Sequence, residues 1–296
     1  MYRPVQPLLA SPKLLNFFSH HTNKAMVVTS PRRVLRPSAT KLRPGDACHF
    51  DEVSVFGAVA GAVCDSGVVT RKEFFENWEC AQKVHSLFVE REEAAPKVVV
   101  DVACGHGLLS WMLLALCWAS SHERTLAFAV DKSRPPSAST LRDAFSRRFP
   151  SLRAYHTYVT ARVPEELQIP EGALVVALHA CGPLTDDVLR AAADANAAVV
   201  CVPCCHSRSS LPPHFTGDLA DTLDQHRELY LRDKGYDVSR DTRFLDPKVT
   251  PKNAAIIGRP PPRHHPFLRE PSLICRPLLP PPPAIWQGQV VEEAQS

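Results

Sequence analysis

The sequence lacks several features that would settle its class at once. No acidic residue precedes Asp46, and no secretory signal opens the chain. The longest apolar run, LLSWMLLALCWASS at residues 108–121, is shorter than the roughly 20 residues of a membrane-spanning helix and is typical of a buried helix. The net charge of the 296-residue chain is only +3, too small to indicate a nucleic-acid or membrane partner. We therefore expect a soluble protein with no membrane partner and no DNA partner.

The first 45 residues differ in composition from the rest of the chain. They combine arginine and lysine with serine, threonine and proline, a composition that mitochondrial and plastid transit peptides share. A disordered basic tail is the alternative. We expect residues 1–45 to be dispensable for the folded domain and the protein to be intracellular, in the cytoplasm or in an organelle.

Ten cysteines without a secretory signal indicate a reducing compartment, where thiols stay free or bind metal. Disulfides are therefore not expected.

From about Lys97 onward, short apolar segments alternate with helical patterns, as in a parallel sheet covered by helices on both faces. The predicted strands are KVVVDVA, TLAFAVD, AYHTYVT, ALVVALHA, AAVVCVP and NAAIIGR. Helices are predicted at residues 108–121, 137–149, 184–196 and 218–234. The α/β domain then covers residues 96–260.

Two flanking segments complete the predicted organisation. Residues 46–95 form a helical extension, in which apolar residues at helical spacing around Phe74, Phe75 and Trp78 predict a helix packed on the sheet edge. Residues 261–296 are proline-rich, favour extended polyproline II and are expected to be disordered.

In VVVDVACGHGLLSW a strand runs into a glycine turn and then a helix, so the backbone can approach a nucleotide-like ligand. The spacing Gly105-x-Gly107-x-x-Ser110 nearly satisfies a dinucleotide motif. However, a carboxylate at Asp101 would repel the pyrophosphate of NAD, whereas S-adenosylmethionine (SAM) has no phosphate and carries cationic groups. Asp131 ends the next strand and can accept hydrogen bonds from ribose hydroxyls. The pair of acids favours SAM.

The pattern D-x-A-C-G-x-G followed by V-D resembles motifs I and II of the class I SAM-dependent methyltransferases. The resemblance implies a Rossmann-like α/β fold with a mostly parallel seven-stranded sheet and helices on both faces. Ala103 stands where the family often has glycine. The residues that we expect to bind SAM are Asp101, Ala103, Cys104, Gly105, Gly107, Asp131, Lys132 and His179.

Two further motifs follow later strands. The fourth strand ends in HACGPLTDD and the fifth in PCCH, and ligands of open α/β sheets bind beyond such carboxyl ends. This pair of motifs resembles one methyltransferase branch, which includes the tRNA acceptor-stem 2′-O-methyltransferases and the methyltransferase domains joined to glutathione-transferase-like regions. The likeness covers roughly residues 71–259 and implies an RNA acceptor, with tRNA foremost. The residues that we expect to border the methyl acceptor are His179, Cys181, Cys204, Cys205 and His206.

Methyl transfer requires mainly in-line alignment of the acceptor, so His179 or His206 is expected to orient the acceptor or to remove its proton. The Asn/Asp-Pro-Pro-aromatic motif of amino-group methylation does not follow the fourth strand. That absence argues against an adenine or amide acceptor.

The cysteine-rich stretch VPCCHSR has other interpretations. Cys201 and Cys204 should face opposite sides of the sheet, so Cys201 is predicted to be a core residue. A zinc site would require Cys181, Cys204 or Cys205, and a histidine to meet. A redox pair and simple packing of small side chains are further alternatives. The expectation is that no metal binds here.

The predicted function is SAM-dependent methyl transfer to RNA. A non-catalytic binding module with the same fold, or an NAD-dependent oxidoreductase, would be the alternatives.

Overall fold

The computed structural model describes residues 35–90, 95–120, 125–206 and 217–261. The segment that resembles a transit peptide consists mostly of residues 1–34, and the predicted disordered tail consists mostly of residues 262–296. Both lie outside the described residues.

A single sheet of seven strands organises the described part of the chain. The strands are β1 Val98–Val102, β2 Leu126–Asp131, β3 His156–Thr160, β4 Leu174–Leu178, β5 Ala198–Val202, β6 Asp237–Asp241 and β7 Ala255–Arg259. Their order is β3-β2-β1-β4-β5-β7-β6; the first five are parallel, and β7 pairs antiparallel with β5 and β6. The predicted mostly parallel, Rossmann-like sheet is confirmed.

Six helices cover the two faces of the sheet. They are α1 Val55–Ser66, α2 Arg71–Phe88, α3 Leu108–Ala119, α4 Pro136–Arg148, α5 Pro183–Asp194 and α6 Leu219–Asp233, and short 3-10 segments occupy Pro44–His49 and Pro150–Tyr155. Helices α1 to α4 share one core with the first face, whereas α5 and α6 pack on the second. Among the described residues, no helix combines the length and apolar character that crossing a bilayer requires.

Helix α2 begins at a capping box, in which Thr70 and Glu73 bond each other's backbone N–H groups. Its buried stripe includes Phe74, Trp78 and Phe88 and belongs to the same core as the central strand β4. The expectation that this helix packs on the sheet edge is therefore wrong: the edge strands are β3 and β6, and α2 covers a face.

The boundary expected at residue 45 is placed too late. Leu42 has no exposed surface and belongs to the core formed by α1 to α4. Its backbone N–H donates to Val69 O at 2.9 Å, and Arg71 N–H donates to Thr40 O at 2.8 Å. The chain from about residue 38 is thus part of the fold.

We predict that a chain starting at Leu35 keeps the stability of the full chain, whereas one starting at Pro44 loses at least about 2 kcal/mol, because Leu42 leaves the core. Equilibrium denaturation measures the difference. Leu42→Ala in the full chain should cost a similar 2–5 kcal/mol by order of magnitude. Val53→Ala, at a side chain 71% exposed, is the matched control. Equal stability of the two truncated chains would contradict the prediction.

Candidate active site

The glycine turn after β1 brings the backbone close to the neighbouring strand. Ala103, Gly105 and Gly107 all have left-handed backbone, with φ of 59°, 56° and 80°. A Cβ at Gly107 would lie 3.0 Å from the Cβ of Ala129 on β2, so no larger residue fits there without a shift. Ala103 adopts this conformation without being glycine, and the turn is therefore strained where the family often has glycine.

Asp131 connects the turn to the end of β2. Its Oδ2 accepts a hydrogen bond from Gly105 N–H at 2.9 Å, and its Oδ1 accepts one from Ser133 N–H at 3.4 Å. The carboxylate also lines the cavity described below. Asp131 therefore holds the glycine turn and lies on the cavity wall, and its hydrogen bond to ribose hydroxyls stays a prediction.

Asp101 lies beneath the turn and not on the cavity wall. It is 2% exposed, and its Oδ2 accepts a hydrogen bond from Ser110 N–H at 3.0 Å, in the first turn of α3. Burial, reinforced by the Asp131 carboxylate, raises the pKa of Asp101 to about 7. Asp101 joins the strand end to the helix that follows the turn, and its direct contact with SAM stays a prediction.

A cavity of about 620 Å³ opens at the carboxyl ends of β1 to β4. Its walls come from residues 102–103, 130–132, 161–165 and 179–184, and its volume suits a ligand of nucleoside size. Of the predicted residues, the wall includes Ala103, Asp131, Lys132, His179 and Cys181. The remaining turn residues, Cys104, Gly105 and Gly107, are not among the residues that line it, and their contact with SAM stays a prediction. Arg162 and Glu165 were not predicted, because no motif marks the segment after β3.

His179 is held in place from two sides. Its backbone has φ of 68°, and its N–H donates to Val202 O at 3.0 Å. Its Nε2 lies 3.5 Å from Oε2 of Glu76, a residue of α2 that is 3% exposed. Burial raises the pKa of Glu76, but hydrogen bonds from His179, Lys72 and Thr250 outweigh it and lower that pKa to about 2. Glu76 is therefore a carboxylate that orients the imidazole.

Three predicted residues form what we call the thiol cluster: Cys181, Cys204 and Cys205. Their sulfur atoms all lie within 4.8 Å of one another. Hydrogen bonding from the other two thiols lowers the pKa of Cys205, whereas burial raises that of Cys204. Cys201 is fully buried on the far side, as predicted.

His206 lies at the end of a buried polar chain on the α6 side. Its Nε2 lies 3.0 Å from Oδ1 of Asp224, which also accepts a hydrogen bond from Arg227 at 2.8 Å. Arg227 in turn donates to Asp186 at 2.7 Å and to Gly182 O at 3.2 Å. Asp224 is 4% exposed and Arg227 5%, so the chain is nearly closed to solvent. It joins the loops after β4 and β5 to α5 and α6.

Three of these positioning residues were not predicted from the sequence. Asp224 and Arg227 are an i, i+3 ion pair, a pattern typical of exposed helix faces. For Glu76 the sequence contains a weak indication of burial. This acidic residue lies within the apolar pattern of α2, directly after Phe74 and Phe75 and before Trp78.

Residues 76–210 match the model of a family described as a methyltransferase domain. The matched segment runs from Glu76 in α2 through the glycine turn to the PCCH motif. With the seven-stranded sheet and the strand-end cavity, this match identifies a SAM-dependent methyltransferase domain, and SAM is its cofactor. The residues present fit SAM, because an acid ends β2 beside a strained backbone turn on the cavity wall.

The chain is similar to several solved structures at low identity. A fibrillarin/Nop5p complex is 12% identical over 62% of this chain and 83% of that chain, with a TM-score of 0.38. An O-methyltransferase family protein from Burkholderia thailandensis is 13% identical over 69% and 72%, also at 0.38. Magnesium protoporphyrin IX methyltransferase from Synechocystis PCC 6803, with bound SAM, is 17% identical over 63% and 81%, at 0.36. Comparison with curated proteins finds no significant match.

We predict that Asp131→Ala weakens SAM binding by about 1.5–3 kcal/mol, because the ribose hydroxyls of bound SAM lose the carboxylate that accepts their hydrogen bonds. Asp131→Asn, which keeps an acceptor for Gly105 N–H, separates loss of charge from loss of the turn. Asp143→Ala, on α4 with a side chain 54% exposed, is the control. Calorimetric titration with SAM provides the measurement, and unchanged affinity in a folded Asp131→Ala protein would refute the assignment.

A second prediction concerns the strained alanine. Ala103→Gly should raise the free energy of unfolding by up to about 1 kcal/mol, since relief of left-handed strain exceeds the entropy cost of glycine. Ala115→Gly, inside α3, should lower it by about 1 kcal/mol. Both are read from chemical denaturation curves. A less stable Ala103→Gly protein would show that the side chain contributes packing that outweighs the strain.

Proposed function

We propose that the protein transfers the methyl group of SAM to a hydroxyl of RNA, and that tRNA is the substrate to test first. The observation that carries this proposal is the meeting of HACG and PCCH at the ends of the adjacent strands β4 and β5, beside the cofactor cavity. Together they are the motif pair that resembles the RNA-methylating branch.

SAM supplies an activated methyl group, so the chain mainly has to bind the donor and align the acceptor. We expect the cavity wall at Asp131 and His179 to bind the donor, because both residues line the cavity at the carboxyl ends of β2 and β4. On the acceptor side, Asp224 fixes the His206 ring through Nε2, which directs Nδ1 to accept a hydrogen bond. We expect a hydroxyl held by that nitrogen to lose its proton to the imidazole as its oxygen accepts the methyl group.

The composition of the β4 loop favours oxygen over nitrogen as the acceptor atom. Residues 179–182 read His-Ala-Cys-Gly in place of the Asn/Asp-Pro-Pro-aromatic motif of amino-group methylation. An imidazole held by a carboxylate can accept the proton that the hydroxyl of the substrate must lose during methyl transfer.

Cationic side chains lie on the cavity wall beside two acidic ones, and they suit a phosphate backbone. Lys132 and Arg162 are on the cavity wall, and the charge of Lys252 contributes to the lowered pKa of Cys205. Such charges attract RNA through phosphate contacts without reading its sequence.

We predict that methyl-labelled SAM, incubated with separated RNA, protein and small-molecule fractions, labels the RNA fraction. Nuclease digestion of that RNA should release ribose-methylated nucleosides. His206→Ala should lower turnover at least tenfold, about 1.4 kcal/mol in the barrier, with nearly unchanged SAM affinity. His226→Ala, at an exposed position of the same helix as Asp224, should behave like the parent protein.

Three outcomes would count against the proposal. Label confined to protein or small molecules would rule out RNA as the acceptor. Label on base nitrogen would refute the hydroxyl. SAM binding with no label in any fraction would support a non-catalytic module.

A further inference from the structure

The thiol cluster brings three cysteine sulfurs together, whereas a disulfide bond would need only two and core packing would need none. Cys181 Sγ lies 2.6 Å from Cys204 Sγ, which lies 3.5 Å from Cys205 Sγ. Cys204 is buried, but Cys181 and Cys205 are exposed, so tight core packing does not explain why they converge.

Two loops that are already fixed by their backbones supply these thiols. Gly182 N–H donates to Cys205 O at 3.0 Å, and His179 N–H donates to Val202 O at 3.0 Å. Cys181 and Cys204 also direct their sulfurs to the same carbonyl, that of His179, at 3.3 and 3.6 Å. The cluster is therefore organised by the pairing of β4 with β5, and only side-chain rotation is needed to adjust it.

The sulfur separations suit one small thiophilic ion. Zinc–sulfur bonds of about 2.3 Å in a tetrahedral site place the sulfurs about 3.8 Å apart. The Cys204–Cys205 separation of 3.5 Å is close to that value, and all three lie within 4.8 Å. The Cys181–Cys204 pair must open by about 1 Å, which the exposed Cys181 side chain can do by rotation.

We propose that Cys181, Cys204 and Cys205 bind one thiophilic divalent cation, Zn²⁺ by preference, with the fourth coordination position open to the acceptor side of the cavity. Three protein ligands and one open position are the arrangement of reactive zinc sites, whereas structural sites are closed by four. Cys204 forms the floor of the site and the exposed Cys181 and Cys205 its rim, so the open position faces outwards.

This proposal replaces the metal-free interpretation expected from the sequence. It requires three thiols and no histidine, and it does not depend on RNA being the acceptor. A disulfide between Cys181 and Cys204 would need an oxidant and would leave Cys205 without a role. Oxidation is therefore treated as a competing outcome of the experiment.

The experiment titrates the full-length, metal-stripped protein with Co²⁺ under reducing, oxygen-free conditions. We expect one equivalent to produce thiolate-to-cobalt charge transfer and the intense visible bands of a tetrahedral site, both abolished by Zn²⁺. Cys181→Ser, Cys204→Ser and Cys205→Ser should each weaken Co²⁺ binding by at least about 100-fold, since each removes one of three ligands. Cys48→Ser, at an exposed cysteine of the 3-10 segment before α1, should retain it.

Circular dichroism establishes that each variant is folded. If Cys204→Ser does not fold, Cys205→Ser decides the matter, because that position is exposed. Absence of the charge-transfer band in the folded, reduced parent protein would overturn the proposal. So would bands that survive Cys205→Ser, or a Cys181–Cys204 disulfide that peptide mass analysis finds in the presence of reductant.

Discussion

The parallel pairing of β4 with β5 is the constraint on which the proposed acceptor side of the site depends. The two strands are in register through Leu178 and Val202, and their hydrogen bonding continues beyond the strand ends. Because both strands stop at the same level, the loops HACG and PCCH leave the sheet side by side. A shift of one residue would turn every side chain of one strand to the other face and separate the thiols.

Buried charges then fix these loops from opposite faces of the sheet. Glu76 reaches His179 from α2, and Asp224 with Arg227 reaches His206 and Gly182 from α6. Charges this well buried are tolerated only when they are paired, so each network must stay intact while it orients an imidazole. Removing one partner would leave the other uncompensated, and effects on stability and on turnover will overlap there.

The sequence predicted those parts of the fold that depend on residues close together in the chain. The five parallel strands, the glycine turn and the helices that follow them were placed by apolar periodicity and by glycine spacing. Strand β6 was not placed, because Val238 is its only buried residue and it reads as a polar edge. Helix α2 was recognised as a helix, but its place on a sheet face depends on contacts with α3 and β4, which are distant in sequence.

The same distinction holds within the site. Asp131 and the cavity-wall residues after β1, β2 and β4 follow from motifs at strand ends, whereas the wall residues after β3 do not. Asp101 lies in the expected motif but is buried. Leu42, Asp224 and Arg227 are set by tertiary packing between segments far apart in the chain, for which a single sequence contains no local signal. The sequence analysis could state that metal binding requires the three thiols to meet. It could not predict the distances between their sulfur atoms.

His179 belongs to both halves of the site. It lines the cavity that suits SAM, and its carbonyl oxygen lies within 3.6 Å of two sulfurs of the thiol cluster. Its left-handed backbone, with φ of 68°, would relax in an unconstrained chain, and it persists because Val202 and Glu76 hold the residue from the backbone and the side chain. A change in its backbone would therefore move the cavity wall and the cluster together, so the donor and acceptor sides share one rigid support.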